Sequence, residues 1–171
     1  MDQTTGPPDL PEIPLLQRRR IEAEIVGPLI RAFIDEFGRD PTLEVVSRVV
    51  ESLAHQAGAN LADRLGGRDL AAFAGALDVW TRGGALEITI HEQSAQRLEF
   101  DVTRCRYAEL YRSLGLEDLG STLSCLRDAK FAEGFGPDIE LERTQTLMQG
   151  GTRCDFRFRT ATDRSDSASQ E

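Results

Sequence analysis

The apolar residues change period once along this chain, and that switch decides which folds are open to it. Up to Trp80 they recur every three or four residues, the spacing of one helix face. From Leu86 they alternate with polar residues, as in strands with one covered face. Ile21, Ile25, Leu29, Phe33 and Phe37 make the first helical stripe, and Gly27-Pro28 within it predicts a kink or a break. Asp40-Pro41 reads as a cap and first turn. It opens a second stripe that runs from Leu43 to Leu65 and stops at Gly66-Gly67. A third helix carries Leu70, Phe73, Leu77 and Trp80, which could serve the core or a homodimer contact equally.

After the switch, Leu86, Ile88 and Ile90 pair with Leu98, Phe100 and Val102 in a first hairpin joined at 92–95. Two short helices follow, about Arg104 to Leu114 and Asp118 to Lys130. Strand alternation returns at Ile139 to Met148 and at Arg153 to Arg159, with Gly150-Gly151 between them as a hairpin turn. The pattern is α+β: N-terminal helices packed on an antiparallel sheet of about four strands, with two helices inserted between two hairpins. A two-residue loop places Leu147 opposite Cys154 and Arg143 opposite Phe158. A guanidinium and a thiol then share the covered face of the sheet.

Composition narrows the class. The length of 171 residues suits one domain, expected over 15–159, with mobile tails at 1–14 and 160–171 that hold too little apolar surface to order. No apolar run is long enough for a membrane span. The net charge of -9 has the wrong sign for nucleic acid. Three cysteines without close pairing argue for a reducing, cytoplasmic setting rather than a disulfide scaffold.

The chemistry-bearing residues gather in the second half. Cys105 follows a strand at a helix start, where a thiolate would be stabilised, and Glu109 shares its flank four residues on. Tyr107 lies on the packing side of the same helix. Cys125 and Asp128, three apart, share a helix face, so a thiol stands beside a potential proton acceptor. Cys154 sits mid-strand and reads as lining or core. Arg143 interrupts an apolar strand face and needs an anion, either Asp128, Glu109 or a ligand carboxylate. His91 reads as a surface residue and His55 as a structural one on a helix flank. The cysteine spacings contain no CxxC, so neither a metal nor a cofactor is expected.

In order along the chain stand Arg104-Cys105-Arg106-Tyr107-Ala108-Glu109, Leu114-Gly115, Cys125-Leu126-Arg127-Asp128, Glu142-Arg143-Thr144 and Gly150-Gly151-Thr152-Arg153-Cys154-Asp155-Phe156. With Arg20-Ile21-Glu22-Ala23-Glu24 and Glu36-Phe37-Gly38, this set resembles the L-2-amino-thiazoline-4-carboxylic acid hydrolase family over about Leu15 to Arg159. The resemblance implies a small-molecule hydrolase that opens a 2-aminothiazoline ring to N-carbamoyl-cysteine. On that reading Cys105, Cys125, Asp128 and Glu109 are the catalytic candidates, with Arg143, Cys154 and Tyr107 binding substrate. A cysteine-assisted route is favoured, with attack at the amidine-type carbon and Arg143 on the ring carboxylate. The layout also looks, more weakly, like small-molecule-binding domains of the 4-vinyl reductase type. Such a sensor would need the same lining without turnover. A biosynthetic enzyme acting on another heterocycle is the third reading.

Overall fold

The computed structural model describes residues 13–161, so the expected tails fall almost wholly outside it. Two long helices, α1 (Leu15–Phe37) and α2 (Arg39–Leu65), meet at Gly38, whose φ of 88° no side-chain-bearing residue adopts without strain. α1 runs unbroken through Pro28, contrary to the expected interruption. Pro28 is exposed, so its ring displaces no packed neighbour. Gly27 beside it is buried and lets Leu116 approach to a distance that a Cβ would occupy. That burial offsets the one hydrogen bond that proline forfeits. α2 starts one residue before the expected cap. Asp40 stands in its first turn and makes no side-chain cap bond.

The expected third helix is two short ones, α3 (Leu70–Phe73) and α4 (Ala76–Thr81). Asp69 caps α3 by accepting from the Ala72 N–H at 2.8 Å. Phe73 is fully buried, with ring centroids of Phe158, Phe135 and Trp80 at 4.8, 5.2 and 5.7 Å. This segment is therefore core.

Strands β1 (Leu86–Gln93), β2 (Arg97–Cys105), β3 (Ile139–Glu142) and β4 (Cys154–Thr160) form one antiparallel sheet in the order β1-β2-β4-β3. Leu98, Phe100 and Val102 pair with Phe158, Phe156 and Cys154, and all six are buried on the helix-covered face. The opposite face is ionic, with Arg157 and Arg153 on Asp101. His91 is exposed there, 3.1 Å from Asp101, as its place on the polar strand face predicts. His55 is exposed on α2 rather than packed.

Between β2 and β3 run α5 (Arg106–Ser113), α6 (Glu117–Gly120), a wide turn at Ser121–Cys125 and α7 (Arg127–Phe135). α7 lies against α2 at backbone contact. A Cβ on Gly58 would stand 2.0 Å from the Phe131 carbonyl oxygen, and one on Gly134 would stand 2.0 Å from that of His55.

Two further expectations are corrected. The second hairpin has no two-residue turn: β3 ends at Glu142, Leu141 pairs with Phe158, and 143–153 is a loop with a short 3-10 turn at Leu147–Gln149. The buried Asp155 carboxylate explains it. It accepts from the Thr144 and Gln145 N–H groups and the Thr144 hydroxyl, taking the place of ladder partners. The second correction concerns α1. Its stripe of Ile21, Ile25, Leu29, Phe33 and Phe37 is 45–64% exposed, while Ala23, Gly27 and Ile30 face the core. Val45, Val49 and Leu53 on α2 are exposed as well and line one groove with the later stripe residues.

Candidate functional site

β2 ends in the residue that starts α5, which sets the first wall of a cavity between the helices and the sheet. Cys105 is that residue. Its Sγ accepts from the Ala108 N–H at 3.4 Å, so the thiol itself caps the helix. Cys154 opens β4 on the neighbouring strand, and its Sγ accepts from the Leu147 N–H at 3.2 Å. The third thiol comes from the wide turn, closed by the Leu126 N–H on the Ser121 carbonyl at 2.9 Å. That i to i+5 bond is a π-type insertion, a device common at functional sites because it re-aims side chains. Here it puts Ser124 and Cys125 on the cavity, just ahead of Asp128 in the first turn of α7.

Arg143 closes the floor. Its Nη1 donates to Asp128 Oδ2 at 2.5 Å, its Nη2 donates to the Cys125 carbonyl at 3.1 Å, and its guanidinium lies 4.9 Å from the centre of the Phe156 ring. The loop pinned by Asp155 carries it there, rather than a strand register. Trp80 and Phe131, centroids 5.5 Å apart, form the apolar wall with Phe156. The cavity is partly open and its volume is about 220 Å³, below the roughly 300–1,000 Å³ of sites for drug-sized ligands, so it suits one small ring.

Cys105, Cys125, Cys154, Asp128, Arg143 and Tyr107 thus all line one cavity. Glu109 does not. It is exposed and paired with Arg104 at 2.8 Å, which holds its carboxyl below the ordinary value. The expected thiolate at the start of α5 is also corrected. Burial pushes Cys105 up to about 11, and burial with the charge of Asp128 pushes Cys125 up to about 12. Desolvation outweighs the helix terminus, so both thiols are protonated at neutral pH. Burial raises the Asp128 carboxyl above its usual value, against Arg143, which lowers it.

Two polar groups in the cavity keep unfilled hydrogen-bonding capacity among the described residues. The Tyr107 hydroxyl is buried, with no hydrogen bond among the described residues. Arg127, half-buried, donates from Nε to the Leu123 carbonyl of the preceding wide turn at 2.8 Å, its one hydrogen bond among the described residues. No carboxylate of the described residues lies in ion-pair distance of it, and burial with the nearby Arg19 lowers its pKa. Sequence reasoning named Tyr107 but missed Arg127. The signal was adjacency: a cation directly before the candidate acid Asp128 on a covered helix. Among the described residues no three His, Cys, Asp or Glu side chains group so as to hold a metal ion, and no helix is long and apolar enough to cross a membrane.

Helices stacked on one face of a four-stranded antiparallel sheet, with a cavity between the layers, define an α+β domain. The chain belongs to the L-2-amino-thiazoline-4-carboxylic acid hydrolase family, whose model matches residues 18–158. No curated protein matches the chain closely enough to count as a relative. Among solved structures, it is similar to the phenol-responsive sensory domain of the transcription activator PoxR with phenol. That match has 13% identity and a TM-score of 0.52 over 87% of this chain and 76% of the other. A trafficking protein particle complex subunit 3 from Naegleria fowleri, covalently bound to palmitic acid, is similar at 13% identity and a TM-score of 0.50. It covers 84% of this chain and 95% of its own. At these identities the likeness is one of fold.

Proposed function

We propose that the chain is a hydrolase that opens a small sulfur- and nitrogen-containing ring of the 2-aminothiazoline-4-carboxylate kind at its amidine-type carbon. The observation that carries this reading is the convergence, in one small cavity, of a carboxylate, an unpartnered phenol and a guanidinium with no carboxylate in ion-pair distance. Such a set offers a base, a hydrogen-bond donor and an anion anchor to a ligand that supplies the missing partners.

The roles follow from charge. Asp128, raised by burial yet held beside Arg143, is suited to take a proton from water near neutrality. As that oxygen bonds to the ring C2, Asp128 takes one proton. The hydroxyl left on C2 gives its proton to the ring nitrogen as it becomes a carbonyl. The C–S bond breaks with its electron pair on sulfur, and Asp128 returns its proton there. Arg143 is committed to Asp128, so Arg127 is the better partner for the ring carboxylate, and Tyr107 donates to the substrate. The neutral thiols of Cys105, Cys125 and Cys154 form a polarisable wall. Cys125 enters as nucleophile only if Asp128 deprotonates it during attack. Three unpaired thiols suit a reducing, cytoplasmic compartment.

The test is incubation with 2-aminothiazoline-4-carboxylate, reading new free thiol and the mass of N-carbamoyl-cysteine. Asp128→Asn abolishes turnover on this reading. Full activity with Cys105→Ala and with Cys125→Ala separately excludes a covalent route, whereas a trapped adduct on Cys125 restores it. A second reading, a ligand-sensing domain, draws on the aromatic wall of Trp80, Phe131 and Phe156, which suits a neutral ring bound without chemistry. Tight binding of such a ligand with no product over hours would favour it.

A further inference from the structure

A stripe of α1 is apolar and left uncovered by the described residues, and its pattern is symmetric. Ile21, Ile25, Leu29, Phe33 and Phe37 step by four, so Leu29 is their centre, with Ile25 and Phe33 at equal distance on either side. α2 adds Val45, Val49 and Leu53 across a groove, each 51–56% exposed. Each of these eight residues is 45–64% exposed, and a large contiguous apolar patch on a monomer marks an interaction site, a stable interface burying about 800 Å² per partner.

We infer that this face is the contact between two copies of the chain, related by a two-fold axis passing near Leu29. A ridge of residues four apart packs into its own copy's grooves with the helices crossing at about -50°. An isologous contact needs a surface complementary to itself, which a stripe symmetric about one residue provides. Leu29 then meets its own counterpart and Ile25 meets Phe33. The outer ends of the stripe lie over the second copy's Val45, Val49 and Leu53. The arginine-rich start of α1 (Arg18, Arg20) turns toward the acidic end (Asp35, Glu36) of the other copy. A lipid surface fits less well, because the chain carries a net charge of -9 and acidic residues flank the stripe. The inference does not depend on the proposed reaction.

Sedimentation of the full chain from about 1 to about 100 µM tests it, since a dimer obeys mass action. The expected species has twice the chain mass of 18.9 kDa. Leu29→Glu sediments as one chain with an unchanged circular dichroism spectrum. Leu29→Cys forms a disulfide between two copies of the same peptide under mild oxidation, identified by peptide mass, which keeps the test open if Leu29→Glu misfolds. A wild-type chain that stays at 18.9 kDa throughout overturns the inference. So does a Leu29→Glu dimer, a Leu29→Cys chain that does not link to itself, or a monomer that binds phosphatidylcholine vesicles through this face.

Discussion

Asp128 and Arg143 come from α7 and from the loop after β3, and they form an ion pair on the floor of the cavity. Each is the other's main electrostatic partner, so the pair acts as one unit. If Asp128 is the base, it must be ionised. Activity therefore falls as pH drops through its pKa, and burial places that limb above the ordinary carboxylate range. A pH–rate profile shows the limb. Asp128→Asn removes turnover by about 10² or more. Arg143→Gln moves the limb to still higher pH, because a lowering influence is gone.

The thiols give a check that needs no substrate. With Cys105 at about 11 and Cys125 at about 12, little thiolate exists at pH 7. Alkylation by iodoacetamide, followed by intact mass, should run at least about tenfold slower than for an unperturbed thiol of pKa ~8.5. It should accelerate only as pH climbs toward those values. Rapid labelling of Cys125 at pH 7 would show that the thiol is not held protonated.

Tyr107→Phe separates binding from folding. Its hydroxyl is buried without a partner, so deleting it should leave stability unchanged or raise it by about 1 kcal/mol, read as a higher Tm. The same change weakens ligand binding, because a donor to the ligand is lost. Arg127→Gln should likewise raise KM for an anionic ring far more than it lowers kcat. A loss of stability in Tyr107→Phe would point to a hidden structural role for the hydroxyl.

Asp155→Ala tests what shapes the loop. Burial raises this carboxyl, but hydrogen bonds from Thr144 and Gln145 outweigh that and lower its pKa. A lowered carboxyl stabilises the fold above the unfolded pKa near 3.9, and that contribution is lost as pH falls through the folded value. The variant should lose about 1–3 kcal/mol in denaturant melts at pH 7, less at acid pH, and should free Arg143 from its place. Equal destabilisation at both pH values would argue against the carboxylate as the pin.

What could be read from residues alone divides along physical lines. Alternation at Leu98, Phe100 and Val102 gave the strands because a sheet with one covered face imprints period two directly. Alternation at 143–148 misled, because a side-chain acceptor such as Asp155 can satisfy backbone donors that a ladder would otherwise take. Periodicity shows that a helix face is apolar but not what covers it. The α1 stripe therefore reads as core although the core contacts are Ala23, Gly27 and Ile30. Cys125 and Asp128 were legible from their spacing. Arg127 was not, because a charge on a helix usually reads as solvated.

Gly58→Ala or Gly134→Ala should each cost about 1–3 kcal/mol or more, seen as a lowered Tm, because the added methyl meets backbone rather than a movable side chain. The contact has a wider reach. Where two main chains touch, nothing between them can shrink or swell, so α2 and α7 behave as a fixed strut under one wall of the cavity. Adaptation to a larger or smaller ring must then come from residues outside that strut, through the loop that carries Arg143 or through substitutions at Trp80. Variants selected for new substrates should accumulate there and leave the two glycines untouched.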